Sequence, residues 1–385
     1  MVHLKNFNFR IPQNIVFGMG ALNQLSDILK TGGNASVYLI SDRGLKSAGV
    51  VDRVAKLITE AGITCHEYLD VLPNPTVDMV NAATEGYLQS GADSIIALGG
   101  GSPMDVAKAV GVLATYGGAI TDYVGFQKVP GPIMPIIAIP TTAGTGSEVT
   151  ASSVITDEAS NFKMAVISYD LIPQHAILDP ALVMTLPASV AAACGIDAFI
   201  HAEEAYVSKM ANPFTDAMAE KAMELIGANI RRFIASRDDE EAACAMMLGC
   251  TFAGLAFAWA KLGNVHAMSH PVSGFFHVAH GVANAILLPT IVEYNALADK
   301  GRYLTIYNYI AEKRVEKEDF EPGMLAEELR SLNRDLGIPA SLSEVGVTAD
   351  KIPLMALDAM KSGNVAVNPR QTVLKDVEAL YHKAF

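Results

Sequence analysis

One pattern recurs through the first half of the chain: a short apolar run, a turn rich in small residues, and a segment with helical periodicity. The clearest example is GADSIIALGGGSPMDVAKAVGVLA, and ASVYLISD (35–42) and IMPIIAIPTTAGTGSEVT begin in the same way. Apolar strands that alternate with helices are typical of a parallel sheet with both faces covered. The pattern therefore predicts an α/β domain whose ligands bind at the carboxyl ends of the strands.

The second half of the chain has a different texture. After Leu186-Pro187, Ala, Met, Leu and Glu recur at helical spacing, and no strand-like run follows before the C-terminus. A chain of 385 residues is also longer than one core usually supports. We therefore expect two domains, an α/β domain over residues 1–187 and an all-α domain over residues 188–385.

Two small-residue loops follow buried strands of the predicted sheet. Gly99-Gly100-Gly101-Ser102-Pro103 lies between a strand and a helix, and Thr141–Ser147 adds hydroxyl groups after a neighbouring strand. Backbone N–H groups at the start of a helix can bind a pyrophosphate. Each loop alone could be a plain tight turn, but two of them in one sheet favour a dinucleotide.

Asp42 ends its strand about twenty residues after the turn FGMG, at the distance where dinucleotide-binding folds place an acidic residue. A carboxylate there accepts hydrogen bonds from the ribose hydroxyls and repels a 2′-phosphate, which predicts NAD(H) over NADP(H). The alternative is that Asp42 is only a helix N-cap.

Five of the nine histidines lie between His201 and His280. Asp197 and His201 are four residues apart, as are His266 and His270, so each pair would project from one face of a helix. A carboxylate with converging imidazoles is a set of metal ligands. Any one of these histidines could instead belong to a helix surface or the core, and Cys194, just before the segment, is better explained by packing than by metal binding.

Composition excludes several classes of protein. The net charge of −13 argues against non-specific binding to nucleic acid or to an anionic membrane. The four cysteines include no CxxC pair, which argues against a disulfide framework or a structural zinc site. The sequence shows neither a signal-peptide pattern nor an uncharged apolar run of about 18 residues. We expect a soluble cytoplasmic protein.

The order of the motifs resembles the iron-containing (group III) alcohol dehydrogenase family over nearly the whole chain. The motifs are FGMGAL, LPNPTVD, GGGSPMDVAK, PTTAGTGSEVT, DPALVMTLP, GIDAFIHAEEAY, HAMSHPVSGFFHVAHGVANAILLP and NPR. This resemblance implies a Rossmann-like domain that binds the dinucleotide, a helical domain that binds metal and carries out catalysis, and a cleft where both ligands meet.

The resemblance also implies roles for single residues. Asp197, His201, His266 and His280 match the metal ligands, and His270 matches the histidine that shuttles protons. Phe257 matches a residue beside the substrate. The positions that match cofactor contacts are Asp42, Asn74, Gly100, Gly101, Ser102, Thr141, Thr142, Thr145 and Lys163.

This sequence departs from the family pattern near the substrate. FHVAHG replaces the commoner YNLPHG and places His277 one helical turn before His280, either as a pocket residue or as a further ligand. HAEEAY replaces HAIEAY, and we interpret Glu204 as the additional acid near the site. The segment MKSGNVAVNPR is longer than usual. These changes leave the ligand set intact and leave the substrate open.

The sequence thus predicts an NAD(H)-dependent enzyme that interconverts a small primary alcohol and its aldehyde, with Fe²⁺, or alternatively Zn²⁺, at the centre. A polyol or glycerol dehydrogenase, or a reductase of a functionalised aldehyde such as lactaldehyde or sulfoacetaldehyde, is the alternative. An enzyme for phosphorylated substrates would need clustered basic residues, and 190–290 is poor in them. A filament subunit or an inactive metal-binding protein is the non-enzymatic alternative.

We expect a homodimer or larger homo-oligomer, formed by pairing of the N-terminal strand with its copy.

Overall fold

The computed structural model describes residues 7, 9–11, 14–158 and 162–385. They form two compact units. The α/β unit contains Arg10–Thr185, and the helical unit contains Leu186–Phe385 together with the two described residues before Arg10, Phe7 and Phe9. The predicted fold class, a parallel α/β part followed by an all-α part, is confirmed.

The described part of the α/β unit has nine strands. Six of them form one sheet in the order β1-β9-β6-β4-β2-β3, with all neighbours parallel. A smaller sheet has the order β5-β8-β7, in which β7 and β8 form an antiparallel hairpin. The strands are β1 Asn14–Phe17, β2 Ser36–Ile40, β3 Thr64–Tyr68, β4 Ser94–Gly99, β5 Gly125–Phe126, β6 Ile136–Pro140, β7 Ser152–Asp157, β8 Phe162–Ile167 and β9 His175–Leu178.

The central strands are buried on both faces. In β4, Ile95 and Ala97 belong to one hydrophobic core while Ile96 and Leu98 belong to another, because successive side chains point to opposite faces of a sheet. Helices cover both faces, so β4 reads as a continuous apolar run without alternation. These helices are α1 Leu25–Thr31, α2 Arg43–Ser47, α3 Val50–Glu60, α4 Val77–Ser90 and α5 Gly101–Tyr116.

The N-terminal prediction is corrected in part. The sequence predicts two short strands before the first helix, but only β1 is present among the described residues; Phe7 and Phe9–Ile11 are not in a strand. The remainder of the predicted first strand lies outside the described residues. The hairpin of β7 and β8 is an addition that the sequence analysis did not predict.

The described part of the helical unit has no strand, as predicted. Helix α8 is long and apolar enough to cross a membrane by composition alone, yet 67% of its most apolar stretch is buried inside the unit, as in a core helix. The helices are α6 Ala188–Val207, α7 Pro213–Ala235, α8 Glu240–Ala260, α9 Asn264–Phe276, α10 His280–Asn295, α11 Arg302–Ile310, α12 Pro322–Asp335, α13 Ile352–Ala359, α14 Asn364–Val367 and α15 Leu374–Ala384.

Helices α6 and α10 approach closely at a glycine. A Cβ atom added to Gly281 would lie 2.0 Å from the carbonyl oxygen of Ala193 in α6. Real Cβ atoms do not come so near a backbone oxygen, so a larger residue would push the two helices apart. The small residues AAACG at 191–195 thus form a tightly packed helix face, in keeping with the packing role predicted for Cys194.

We expect Gly281→Ala to lower the free energy of unfolding by about 3 kcal/mol, because the new methyl group overpacks a contact between two backbones. Gly274→Ala is the matched control: Gly274 lies in α9, is exposed, and has space for a Cβ atom. That change should leave stability within about 1 kcal/mol of the original or raise it slightly. Urea unfolding of both metal-free variants, followed by circular dichroism, measures the difference. Equal midpoints for Gly281→Ala and the unchanged chain would contradict the close approach.

Candidate active site

Four side chains of the helical unit converge on one point. Asp197 and His201 come from α6, one turn apart, His266 comes from α9, and His280 is the first residue of α10. The carboxylate of Asp197 lies 4.0 Å from the Nε2 atom of His201, 3.7 Å from that of His266 and 4.0 Å from that of His280. The ligand atoms of Asp197, His201 and His266 lie within 4.8 Å of one another, and His280 is outside that group of three. Ligand atoms around one tetrahedral ion are about 3.4 Å apart, so the spacing is close to that around a single divalent cation.

The rings around this point pack against one another. His201 is stacked between Phe257 and His266, with ring centroids 4.5 Å and 4.6 Å away. The His280 side chain is 33% exposed, whereas those of the other three converging residues are buried. His270, which is half-buried, stacks on His280 at 5.3 Å. The accessible side of the cluster is therefore the side of His270 and His280.

Electrostatics favour a cation in this cluster. Burial disfavours ionisation of Asp197, but the neighbouring imidazoles outweigh that effect and hold its pKa well below the usual range. Burial alone would lower the pKa of His266, yet the carboxylates of Asp197 and Glu204 raise it to about 9. The carboxylates thus stabilise a positive charge among these rings, which a metal ion can supply in place of a proton.

Asn284 is a site residue that the sequence analysis missed. Its amide Nδ2 lies 2.6 Å from Oδ1 of Asp197 and 3.1 Å from the Nε2 atoms of His266 and His280. Its buried Oδ1 has no hydrogen-bond partner within the described part of the chain. The available signal was spacing: Asn284 follows His280 by four residues on α10, so both face the same way.

The acidic pair after His201 is also buried. The assignment of the additional acid of HAEEAY to Glu204 is wrong: by position it is Glu203. Burial together with the charge of Glu204 raises the pKa of Glu203 well above the usual range. Glu204 contacts one of the predicted metal ligands, because its Oε2 lies 2.6 Å from Nδ1 of His266.

Cys194 is not in the described cluster of converging ligand atoms. Burial and the charge of Asp197 raise the pKa of its thiol to about 12, in keeping with packing.

The predicted helical spacing of His277 and His280 is wrong. Helix α9 ends at Phe276, and His277 adopts a left-handed conformation with φ of 56° before α10 begins at His280. The exposed His277 donates its backbone N–H to the carbonyl of Ser273 and closes α9. Its contact with a substrate remains a prediction.

In the α/β unit, the predicted cofactor residues lie at the carboxyl ends of adjacent strands. Asp42 follows β2, Gly100 and Gly101 follow β4, and the threonine loop follows β6. The two loops touch: a Cβ atom on Gly100 would lie 3.3 Å from Thr142, and one on Gly101 would lie 3.0 Å from Thr145. A side chain on either glycine would therefore require the threonine loop, which contains Thr141, to shift by a few tenths of an ångström.

A cavity of about 520 Å³ adjoins these loops and is lined partly by Asp42, Gly100, Gly101 and Ser102. Asp42 is the N-cap of α2, since its Oδ1 accepts the N–H of Leu45 at 2.9 Å. The N-cap role, which is the alternative to ribose binding for Asp42, is thus present in the structure. It does not preclude ribose binding, because a carboxylate has two oxygens and several acceptor sites.

Lys163 and Asn74 are hydrogen-bonded to each other although 89 positions separate them in the sequence. The Nζ atom of Lys163, on β8, donates to Oδ1 of Asn74 at 2.7 Å. Asn74 has a left-handed backbone, with φ of 56°. Burial lowers the pKa of Lys163. The hairpin that carries Lys163 thus returns it to the loop after β3.

The α/β unit also contains a buried ammonium group that the sequence analysis missed. Lys108 of α5 donates to the carbonyl and hydroxyl oxygens of Ser147 and Thr150 and to the carbonyl of Ser152, at 2.7 to 3.1 Å. Asp105 accepts a hydrogen bond from the Ser147 hydroxyl. Burial lowers the pKa of Lys108 and raises that of Asp105. This network fixes the segment after the threonine loop to α5.

Comparisons with known proteins agree with this arrangement. The profile described as "Iron-containing alcohol dehydrogenase" matches residues 12–180, and that described as "Fe-containing alcohol dehydrogenase family, C-terminal" matches residues 191–385.

The chain is similar to three proteins in particular. It is 37% identical to a 1,3-propanediol dehydrogenase of Citrobacter freundii over 98% of this chain and 99% of that one. It is 39% identical to a lactaldehyde reductase of Escherichia coli K12 over 96% and 97%. The solved sulfoacetaldehyde reductase of Bifidobacterium kashiwanohense, in complex with NAD⁺, matches with a TM-score of 0.89 and 29% identity over 99% of both chains.

The profiles cover most of the chain, and the relatives match over nearly their full length. The chain therefore belongs to the iron-containing alcohol dehydrogenase family and is an oxidoreductase that interconverts alcohols and aldehydes.

Proposed function

We propose that the protein interconverts a small primary alcohol and its aldehyde, with NAD(H) as the hydride carrier and Fe²⁺, or Zn²⁺ as an alternative, in the helical unit. One observation carries the proposal: three imidazole Nε2 atoms surround the buried carboxylate of Asp197 at 3.7 to 4.0 Å. A carboxylate with neutral imidazoles suits several divalent transition metals. Family membership favours iron among them.

Asp197, His201, His266 and His280 would hold the cation. A divalent cation bound there supplies Lewis-acid polarisation of the substrate oxygen. The protein has to manage the proton that leaves the alcohol, because the nicotinamide takes only the hydride. His270 stacks on His280 on the accessible side of the cluster, so its half-buried imidazole can pass that proton to solvent.

The dinucleotide would bind at the strand ends of the α/β unit. The start of α5 offers backbone N–H groups to the pyrophosphate, and Ser102, Thr142 and Thr145 add hydroxyl groups beside it. Asp42, on the wall of the same cavity, would accept hydrogen bonds from the adenosine ribose. A solved relative bound to NAD⁺ supports the choice of NAD(H).

The substrate would be small and uncharged. Phe257 packs on the buried ring of His201, which gives the site an apolar wall. Between Phe257 and Gly281, Lys261 is the sole Lys or Arg in the sequence, so a substrate anion would find little compensation there. A 1,3-diol or its aldehyde fits this setting, in keeping with the activity named for one relative. Lactaldehyde and polyols are the next candidates.

We also propose a homodimer or larger homo-oligomer, supported by β1, whose largely exposed strand lies at the edge of the sheet. A cytoplasmic location is proposed from sequence composition alone.

A panel of aldehydes with NADH tests the reaction. For anaerobically purified, iron-loaded protein, we expect 3-hydroxypropanal and propanal to give the highest kcat/KM and sulfoacetaldehyde a value at least about tenfold lower, since one uncompensated charge costs more than about 1.4 kcal/mol. A preference for sulfoacetaldehyde would reverse the substrate proposal. Failure to oxidise NADH with any aldehyde, despite bound metal, would reject the enzymatic function.

Two histidine variants distinguish a role in metal binding from a role in proton transfer. His266→Ala should lose bound metal, because a buried ligand is removed. His270→Ala should retain metal and NADH binding but lose kcat by roughly 10²–10⁴-fold, the usual contribution of an acid–base group. Elemental analysis beside steady-state kinetics measures both. His382→Ala, an exposed histidine of α15, is the control. Metal-free His270→Ala with metal-replete His266→Ala would reverse the assignment.

Asp42→Asn tests the preference for NADH, because Asn caps a helix about as well as Asp and removes only the charge. The unchanged chain should prefer NADH to NADPH, and the variant should gain kcat/KM with NADPH while its unfolding midpoint stays the same. Asp42→Ala removes the cap as well, at about 1 kcal/mol of stability. Equal use of both cofactors by the unchanged chain would refute the role of Asp42.

A further inference from the structure

A second carboxylate, that of Glu204, contacts the start of α9. The residue lies on α6, three positions after His201, and its side chain is 3% exposed. Its Oε1 accepts the backbone N–H of Val265 at 2.6 Å, and its Oε2 lies 2.6 Å from Nδ1 of His266. One buried carboxylate thus holds two consecutive residues of another helix.

The contact at Nδ1 fixes how His266 presents its other nitrogen. Nε2 of His266 faces Asp197 at 3.7 Å, while Nδ1 faces Glu204. An ionised carboxylate can only accept a hydrogen bond, so Nδ1 has to carry a proton. In a neutral imidazole the lone pair then lies on Nε2, the atom that faces the other ligands. Partners of this kind orient metal-binding histidines and raise their basicity.

The contact at Val265 replaces a helix cap. The first N–H groups of a helix lack partners within the helix, and the N-cap of α9, Gly263, has no side chain to supply one. A Cβ atom at Gly263 would lie 2.8 Å from Oε1 of Glu204. Glycine therefore leaves room for a carboxylate from α6 to cap α9.

We propose that Glu204 is a positioning residue of the metal centre: it sets the proton and orientation of His266 and seats α9 on the helix that carries Asp197 and His201. This inference rests on the proposed metal-binding function. It adds a role for a residue outside the proposed ligand set.

Glu204→Gln tests it, with Glu203→Gln as the matched control. Glutamine keeps the shape of the side chain, but only its carbonyl oxygen can accept, so its N–H₂ group faces either the N–H of Val265 or the Nδ1–H of His266 and that contact is lost. Glu203 is a neighbouring buried glutamate on the same helix without a hydrogen bond to His266 among the described contacts. We expect Glu204→Gln to weaken metal binding roughly 10–100-fold, the usual effect of removing such a partner, and Glu203→Gln to leave it within about threefold.

Metal affinity is measured by competition with a chelator, for Zn²⁺ and Co²⁺, and the visible spectrum of the Co²⁺-loaded protein reports the geometry of the ligands. The spectrum should change in Glu204→Gln and not in Glu203→Gln. Unfolding of the metal-free proteins is recorded separately, because a merely structural role would lower stability without altering the Co²⁺ spectrum. An unchanged dissociation constant and spectrum in Glu204→Gln would overturn the proposal.

Should Glu204→Gln not fold, a measurement on the unchanged sequence decides. In the Zn²⁺-loaded protein, Nδ1–H of His266 should give a downfield, slowly exchanging ¹H–¹⁵N signal, identified by its loss in His266→Gln. Absence of that signal would reject the inference. The two proposals also fail separately: if His266→Ala keeps its metal, the ligand assignment is wrong, whereas a metal-free His266→Ala beside a normal Glu204→Gln rejects only the role of Glu204.

Discussion

The helical unit depends on keeping the carboxylate of Asp197 ionised away from water. Burying an isolated charge is costly, so the protein has to surround it with groups that favour the anion. Three imidazoles and the amide of Asn284 do so, and they come from three different helices. Those helices must therefore approach within side-chain reach of one carboxylate, which explains the glycine at the contact between α6 and α10. The same requirement makes the cluster suited to a cation. The polar atoms already face one point, because the folding of the surrounding helices brings them together before any cation binds.

The α/β unit meets a different constraint, which is to present backbone groups at the edge of a fully buried sheet. Its central strands have no polar face to offer, so recognition falls to the loops that follow them. Glycine lets the loops after β4 and β6 touch, and the ammonium of Lys108 shares its three N–H groups among five oxygens of residues 147–152. Lys108 thus holds one side of these loops, while Gly100, Gly101 and Ser102 line the cavity beside Asp42. Hydrogen bonds therefore fix one side of these turns, and the other side is accessible to a ligand.

Much of this could be predicted from sequence because the signals are local. The spacing of Asp197 and His201, of His266 and His270, and the glycine turn before α5 each follow from the geometry of one helix or one turn. What could not be predicted depends on contacts between distant segments. Glu204 reaches His266 across 62 positions, and Lys163 reaches Asn74 across 89. The misplacement of His277 has a local cause: a left-handed residue ends α9 there, and histidine, unlike glycine, gives no sign of that conformation.

The network around Lys108 has a consequence for how such chains can diverge. Its donor lies on α5 and its acceptors lie about forty positions later, at Ser147, Thr150 and Ser152. A crossover between two genes anywhere within that interval would combine the lysine of one parent with the acceptor segment of the other. Three of the acceptors are backbone carbonyls that any residue supplies, so in a mismatched hybrid either the ammonium would lose the hydroxyl groups of Ser147 and Thr150 or those hydroxyl groups would lose the ammonium. We therefore expect Lys108 and the hydroxyl groups of Ser147 and Thr150 to be inherited together.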